Sequence, residues 1–253
     1  MIKKLHYVWF GGKPLPANVK SCINSWKKNC PDWEIVQWDE TNFPINEYRW
    51  VREAIQSRSF AHAADFVRLW VLNLHGGGYL DTDVEILQPI ESALRANLVL
   101  GIENHSVGTD ELLNVQEDGF YKGTYNRCCS FCVQAGFMYS EPHHPFIEFC
   151  IHEIYFEGNR QFIKEDGSLA KFVIDTALMI QLTKWGAVYR DETQRLKDNT
   201  ILYKSNIFAT RKSKDQDSIL IHWFDQSWDN RGGLKMKIKK FIKSKLYWLY
   251  RKQ

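Results

Sequence analysis

At 253 residues, with 44% hydrophobic and 25% charged residues, the chain is long enough for one substantial domain and has the make-up of an ordinary folded protein. Its net charge of +3 hides an asymmetry: residues 235–253 hold eight lysines and arginines and no acid, leaving 25 of the 33 basic residues against all 30 acidic ones. An acidic body of that kind argues against a nucleic-acid-binding domain. No signal-peptide pattern or 18-residue apolar run is visible, so a cytoplasmic protein is expected. The six cysteines (Cys22, Cys30, Cys128, Cys129, Cys132 and Cys150) match no zinc spacing, and reduced thiols are the expectation.

Residues 3–10, KKLHYVWF, read as an opening strand, followed by a Gly- and Pro-rich loop at 11–16. The loop lacks the G-x-G-x-x-G fingerprint, which disfavours a dinucleotide site. A helix is expected over 18–28, with Val19, Cys22, Ile23 and Trp26 on one face. A strand follows at 33–38 and a helix at 48–57.

The stretch 60–87 organises the chain. Phe60, Ala63, Ala64, Val67, Val71 and Leu74 recur at helical steps, and Phe66, Leu69, Trp70 and Leu72 fill the faces between them. A helix apolar on most sides is a buried one. Asp65 and Arg68 interrupt it, three residues apart and so on one face. A buried charge is costly unless it is paired or meets a polar ligand, so the two read either as a structural ion pair or as ligand-binding groups. Gly76, Gly77 and Gly78 end the helix, and a short strand begins at Tyr79. Asp81 and Asp83 follow at period-2 spacing, which on a regular strand points both carboxylates to one face. Adjacent carboxylates repel unless a cation lies between them, and Mg²⁺ or Mn²⁺ takes oxygen ligands together with substrate phosphates. Alone, such a pair also suits a solvated surface loop.

Strands are expected at 84–87 and 97–102, and residues 103–127, polar and Gly-containing, suit a substrate loop. A strand at 130–139 contains Gly136, suggesting a bend or a close approach. Helices at 144–156 and 168–185 and strands at 200–203 and 218–223 complete an α/β pattern with no internal repeat and no linker in the first 230 residues.

Three motifs occur in order: HYVWFGGKPLP, AADFVRLWVLNLHGGGYLDTDVE and IHWFDQSW. Together they resemble glycosyltransferase family 32, the bacterial polysaccharide and initiating-mannosyltransferase group, and more distantly the sugar-transferring domain of the large clostridial toxins. The resemblance covers about the first 90 residues and 219–228. It implies a GT-A type single α/β domain over 1–234, with a Rossmann-like nucleotide half and a mixed sheet, that moves a hexose from a nucleotide sugar (UDP-sugar favoured) to a saccharide acceptor with retention of configuration. By the same resemblance Val8, Trp9 and Phe10 line the base end of the donor, Asp65 and Arg68 hold sugar hydroxyls, and Tyr79 stacks near the nucleoside. Asp83 ligates a divalent metal, Mn²⁺ or Mg²⁺, directly, Asp81 contacts the ribose, the sugar or the metal through water, His222 is a further metal ligand, and Ser227 and Trp228 reach the leaving diphosphate. Arg68, Asp81, Asp83 and Trp228 are the expected catalytic set. The chain departs from many relatives at Asp175-Thr176-Ala177, where a small Gly-Pro element is usual, and this leaves the acceptor side open.

Residues 235–253 place Ile238, Phe241, Ile242, Leu246 and Leu249 along one helical face with lysines opposite. A basic amphipathic helix of this kind suits peripheral attachment to the inner face of the cell membrane, where lipid-linked saccharides of surface or capsular polysaccharides are assembled; a solvated helix packed on the body is the alternative. Two other functional classes fit parts of the pattern: an inactive sugar- or nucleotide-binding scaffold, and a haloacid-dehalogenase-like phosphatase. The second uses an Asp-x-Asp after its first strand, whereas Asp81 here follows two or three earlier strands.

Overall fold

The computed structural model describes residues 1–104 and 131–224. Eight strands form a mixed sheet in which β1 (Lys4–Val8) lies between β2 (Glu34–Trp38) and β3 (Gly77–Leu80), all three parallel. β7 (Phe137–Ser140) joins β3 antiparallel and links it to β5 (Leu98–Asn104). β9 (Thr200–Tyr203) and β8 (Gln194–Leu196) complete the far edge, and β6 (Phe131–Val133) pairs with the end of β5. A second sheet has three strands, with β11 (Leu220–His222) between β10 (Phe208–Thr210) and β4 (Val84–Ile86).

Two apolar cores lie on the main sheet. One joins it to α2 (Arg49–Gln56), α3 (Phe60–His75), α4 (Pro145–Tyr155) and α5 (Ile174–Thr183). The other joins it to α1 (Ala17–Asn29) and the small sheet. In α3 the residues Ala63, Phe66, Val67, Arg68, Leu69, Val71 and Leu72 are buried, as an all-round apolar helix requires. Each fully buried aliphatic or phenyl side chain contributes roughly 1.5–3 kcal/mol. The helix stops because Gly76 has φ of +62°, and Gly77 follows at +91° with its α-carbon against the Lys4 carbonyl, where a side chain would clash.

Most expected elements lie within a residue or two of the observed ones. The exceptions have physical causes. The helix expected over 168–185 starts only at Ile174, because residues 162–170 spend their backbone groups on a turn in which Ile163 bridges Leu169. The strand expected over 130–139 is two strands separated by a turn at 134–136, β6 pairing with the end of β5 and β7 lying between β3 and the start of β5. Strands β8 and β10, three residues each, are too short to show a period and went unread. Glu103 belongs to β5, not to a loop; the rest of the expected substrate loop falls almost wholly on 105–130, outside the described residues, as do Ser227, Trp228 and the basic tail. Among the described residues no helix is long and apolar enough to cross a membrane.

Candidate active site

β1 and β3 run parallel, and their C-terminal ends open into a cleft of about 420 Å³. That end of a parallel sheet is where open α/β folds take their ligands. Val8, Trp9 and Phe10 line one end of the cleft, and Asp65, Arg68, Tyr79, Asp81, Asp83 and His222 line its floor. Phe10 is largely buried, with its ring edge-on to Phe43, and Trp9 donates its indole N–H to the Lys13 carbonyl at 2.6 Å.

The Asp-Thr-Asp run is a tight turn between β3 and β4 rather than the end of a strand; the Val84 amide donates to the Asp81 carbonyl. The turn still brings both carboxylates to the cleft. Strand pairing then adds the third ligand: His222 lies opposite Val84 in the β11–β4 ladder, and its Nε2 stands 3.3 Å from Asp83 Oδ1. One donor atom each from Asp81, Asp83 and His222 falls within 4.8 Å of the others. Two carboxylate oxygens and an imidazole nitrogen are a donor set that could hold a divalent metal ion.

Arg68 and Asp65 do form an ion pair, at 3.2 Å, but the pair is not self-contained. Arg68 also donates from Nη2 to Asp81 Oδ1 at 2.9 Å, and Tyr79 donates its hydroxyl to the same oxygen at 3.1 Å. The guanidinium lies over the Tyr79 ring, 4.8 Å from its centroid, and that ring is 1% exposed. Arg68 thus covers a face of the Tyr79 ring, and the Tyr79 hydroxyl fixes Asp81. Arg68 Nε is buried without a hydrogen bond, while Nη1 faces Asp65 in the 3.2 Å ion pair. A buried donor left unmet is costly.

Two acids that sequence reasoning left unassigned join the cluster, Asp175 in the cleft and Glu103 behind His222. Asp175, in the first turn of α5, accepts the Ala135 amide at 3.1 Å, and Glu103, 2% exposed, reaches to 3.8 Å from His222 Nδ1. Nothing local in the sequence marks either one, since partners lie 30 or more residues away. Five carboxylates thus face Arg68 and His222. Burial pushes the Asp65 carboxyl up to about 7, against the pull of Arg68. Burial, then Glu103, raises Asp175 well above the carboxylate range. Burial disfavours a charged His222, yet the carboxylates of Asp83, Glu103 and Asp81 outweigh it and hold the ring well above its ordinary value. Arg68 stays charged because Asp81, Tyr79 and Asp65 outweigh its desolvation. The cluster is short of positive charge, and a divalent cation among Asp81, Asp83 and His222 would offset the deficit.

Known proteins were compared with this chain. PaToxG glycosyltransferase aligns at 16% identity over 72% of this chain and 69% of its own, with a TM-score of 0.45. The galactosyltransferase LgtC, in complex with donor and acceptor sugar analogues, aligns at 12% identity over 87% of each chain, with a TM-score of 0.43. A glycosyltransferase involved in glycosylation of the major capsid of PBCV-1 aligns at 10% identity over 86% and 92%, with a TM-score of 0.42. Overlaps that loose carry no argument by themselves. No curated protein matches the sequence. Residues 16–101, the span holding α3, Asp65, Arg68 and the Asp-Thr-Asp turn, match the family model described as the glycosyltransferase sugar-binding region containing the DXD motif, and that match supports a transferase.

Proposed function

We propose that the protein is a metal-dependent, retaining glycosyltransferase of the family 32 type, with the GT-A fold over residues 1–234, that moves a hexose from a nucleotide sugar to a saccharide acceptor. The observation that carries this reading is the convergence of Asp81, Asp83 and His222 within 4.8 Å, beside a buried Arg68 with an unmet donor. The match of residues 16–101 to a DXD sugar-binding region supports it.

Asp81, Asp83 and His222 would hold the metal, Mn²⁺ or Mg²⁺, which when bound neutralises the charge that grows on a departing diphosphate. Arg68, at the cleft floor, would place positive charge beside oxygens of the donor, and Asp65, neutral or charged near pH 7, can accept from or donate to a sugar hydroxyl. Tyr79 holds Asp81 and Arg68 in register. Val8, Trp9 and Phe10 would take the base, with UDP favoured over GDP. Retention without a covalent intermediate requires front-face transfer. The acceptor oxygen bonds to C1 on the side the phosphate leaves, the C1–O bond to the diphosphate breaks, and the acceptor proton passes to the departing phosphate oxygen. Ser227 and Trp228 would meet that diphosphate.

The acceptor is proposed to be a lipid-linked saccharide of bacterial surface polysaccharide synthesis, reached from the cytoplasmic side of the membrane through the basic residues of 235–253. Incubation with a panel of UDP- and GDP-sugars and Mn²⁺, read as nucleoside diphosphate release, tests the transferase reading, and the anomeric signal of the product tests retention. No release from any donor overturns the first; an inverted product overturns the second. Retention on anionic liposomes of the full chain, but not of a chain ending at Gly233, tests the tail, and equal retention removes it.

A further inference from the structure

The cluster holds a residue that does not reach the ligand-facing side of His222. Glu103 sits near the end of β5, 2% exposed, with Oε2 3.8 Å from His222 Nδ1. The opposite ring nitrogen, Nε2, faces Asp83. Nδ1 is buried and lacks a hydrogen-bond partner, so the carboxylate of Glu103 is the charge it faces. Two further contacts fix the ring. Gly136 lies so close that a β-carbon there would stand 2.9 Å from Nδ1 and 3.1 Å from Cε1. Phe224, held at a φ of +53° that bulky residues seldom adopt, covers the imidazole with ring centroids 3.9 Å apart. The turn carrying Gly136 also accepts the Asp81 amide through the Gly136 carbonyl at 2.9 Å, so one turn sets the position of two metal-facing side chains.

We infer that Glu103 and Gly136 are positioning residues that preset His222 as a metal ligand, Glu103 by holding the tautomer with the proton on Nδ1 and Gly136 by leaving room for the ring. An imidazole that keeps its proton on Nδ1 presents a bare Nε2 lone pair beside Asp83. A carboxylate behind a ligating histidine both selects that tautomer and raises the basicity of the ligating nitrogen. Glu103 is buried on β5 with its carboxylate 3.8 Å from Nδ1, close enough for the charge to bias the ring though beyond hydrogen-bond length. Gly136 has no left-handed backbone angle to explain it, so space for the ring is the reason for glycine at that place.

The inference rests on the metal-site reading above, and the test separates the two. Mn²⁺ affinity is measured on the full chain for the wild type, E103Q, E103L and G136A, with metal-free thermal melting as a check on folding. The ¹⁵N signals of His222 are recorded in the wild type with Mg²⁺. The expected results are an affinity about 10–100-fold weaker in E103L, a comparable loss in G136A, and a loss in E103Q as well, because the carboxylate charge that faces Nδ1 is gone. The wild-type ring is expected to carry its proton on Nδ1. Mn²⁺ binding by the wild type with E103L and G136A both within twofold of it overturns the positioning role and leaves the metal site standing. A ring protonated on Nε2 does the same. Should E103L not fold, G136A and the tautomer decide. A wild type that binds neither ion overturns both readings.

Discussion

The two walls of the cleft are built in opposite ways. One is continuous in sequence: between residues 60 and 83 the chain lays down a buried helix with Asp65 and Arg68, turns at Gly76, and delivers Asp81 and Asp83. The other is assembled from distant places, Asp175 on α5 and His222 on β11, with Glu103 on β5 and Gly136 in a turn packed behind His222. The continuous wall owes its geometry to local steps, three along a helix and two across a turn. The assembled wall owes its geometry to pairings such as His222 with Val84 and Ala135 with Asp175, which exist only once the sheets have formed.

Substitutions on the two walls should therefore fail differently. The largest effect is expected where the walls meet. Asp83→Ala or His222→Ala removes a metal-facing group and should lower turnover by about 10²–10³-fold, with the metal-free melting temperature little changed. Activity assays beside melting curves check this, and a parallel collapse of both would mean that the residues serve the fold instead.

On the continuous wall, Arg68→Ala strips the partner from Asp65 and Asp81 together. Breaking a buried pair in this way costs roughly 3–5 kcal/mol, so chemical denaturation should show a large loss of stability along with lost activity. On the assembled wall, Asp175→Asn is expected to do the reverse. Its carboxyl is crowded by Glu103 and Asp65, while the amide oxygen still accepts from Ala135. Melting temperature should hold or rise while turnover falls about tenfold, as for a lost hydrogen bond to a substrate. A drop in both would place Asp175 with the fold.

A purely pH-dependent effect lies behind the continuous wall. His6 on β1 is 1% exposed, Nε2 donates to the Gly76 carbonyl, and Nδ1 accepts from the Trp38 indole N–H. The indole can only donate, so the imidazole is neutral in the fold. Burial, ahead of the opposing Gly76 bond, lowers its pKa from 6.5 to about 4. The unfolded chain thus binds more protons between those values; the stabilisation is complete above pH 6.5 and lost as pH falls through about 4, to the extent of about 3 kcal/mol. His62 shifts the same way, while Asp65, raised to about 7, loses stability as pH rises. The difference between wild type and His6→Gln isolates His6: denaturation between pH 7 and 4 should be flatter in the variant, and equal slopes would exclude a neutral buried ring.

The same contrast explains what could be read in advance. Helix α3, its glycine stop and the burial of Arg68 follow from period and residue type, whereas the Asp-Thr-Asp run, which its spacing puts at a strand end, is a turn, and the pairing of Arg68 with Asp65 is one of two readings the sequence leaves open. Legible too, but only through the resemblance, was His222, which on its own looks like any histidine on an apolar strand. Glu103 and Asp175 carried no signal, because an acid acquires its meaning from what folds beside it. The helix expected from 168 failed for a similar reason: Leu169 and Phe172 keep the period, but pairing at 162–170 overrides it.

The central claim, a metal-dependent nucleotide-sugar site at Asp81, Asp83 and His222, is tested most directly by thermal melting against UDP- and GDP-sugars, each with and without Mn²⁺. A ligand at about 100 times its Kd stabilises the native state by about 2.7 kcal/mol. The account predicts that at least one donor raises the melting temperature only when Mn²⁺ is present, and that the rise disappears in a folded Asp83→Ala variant. No shift with any donor, or an equal shift in Asp83→Ala, would contradict it.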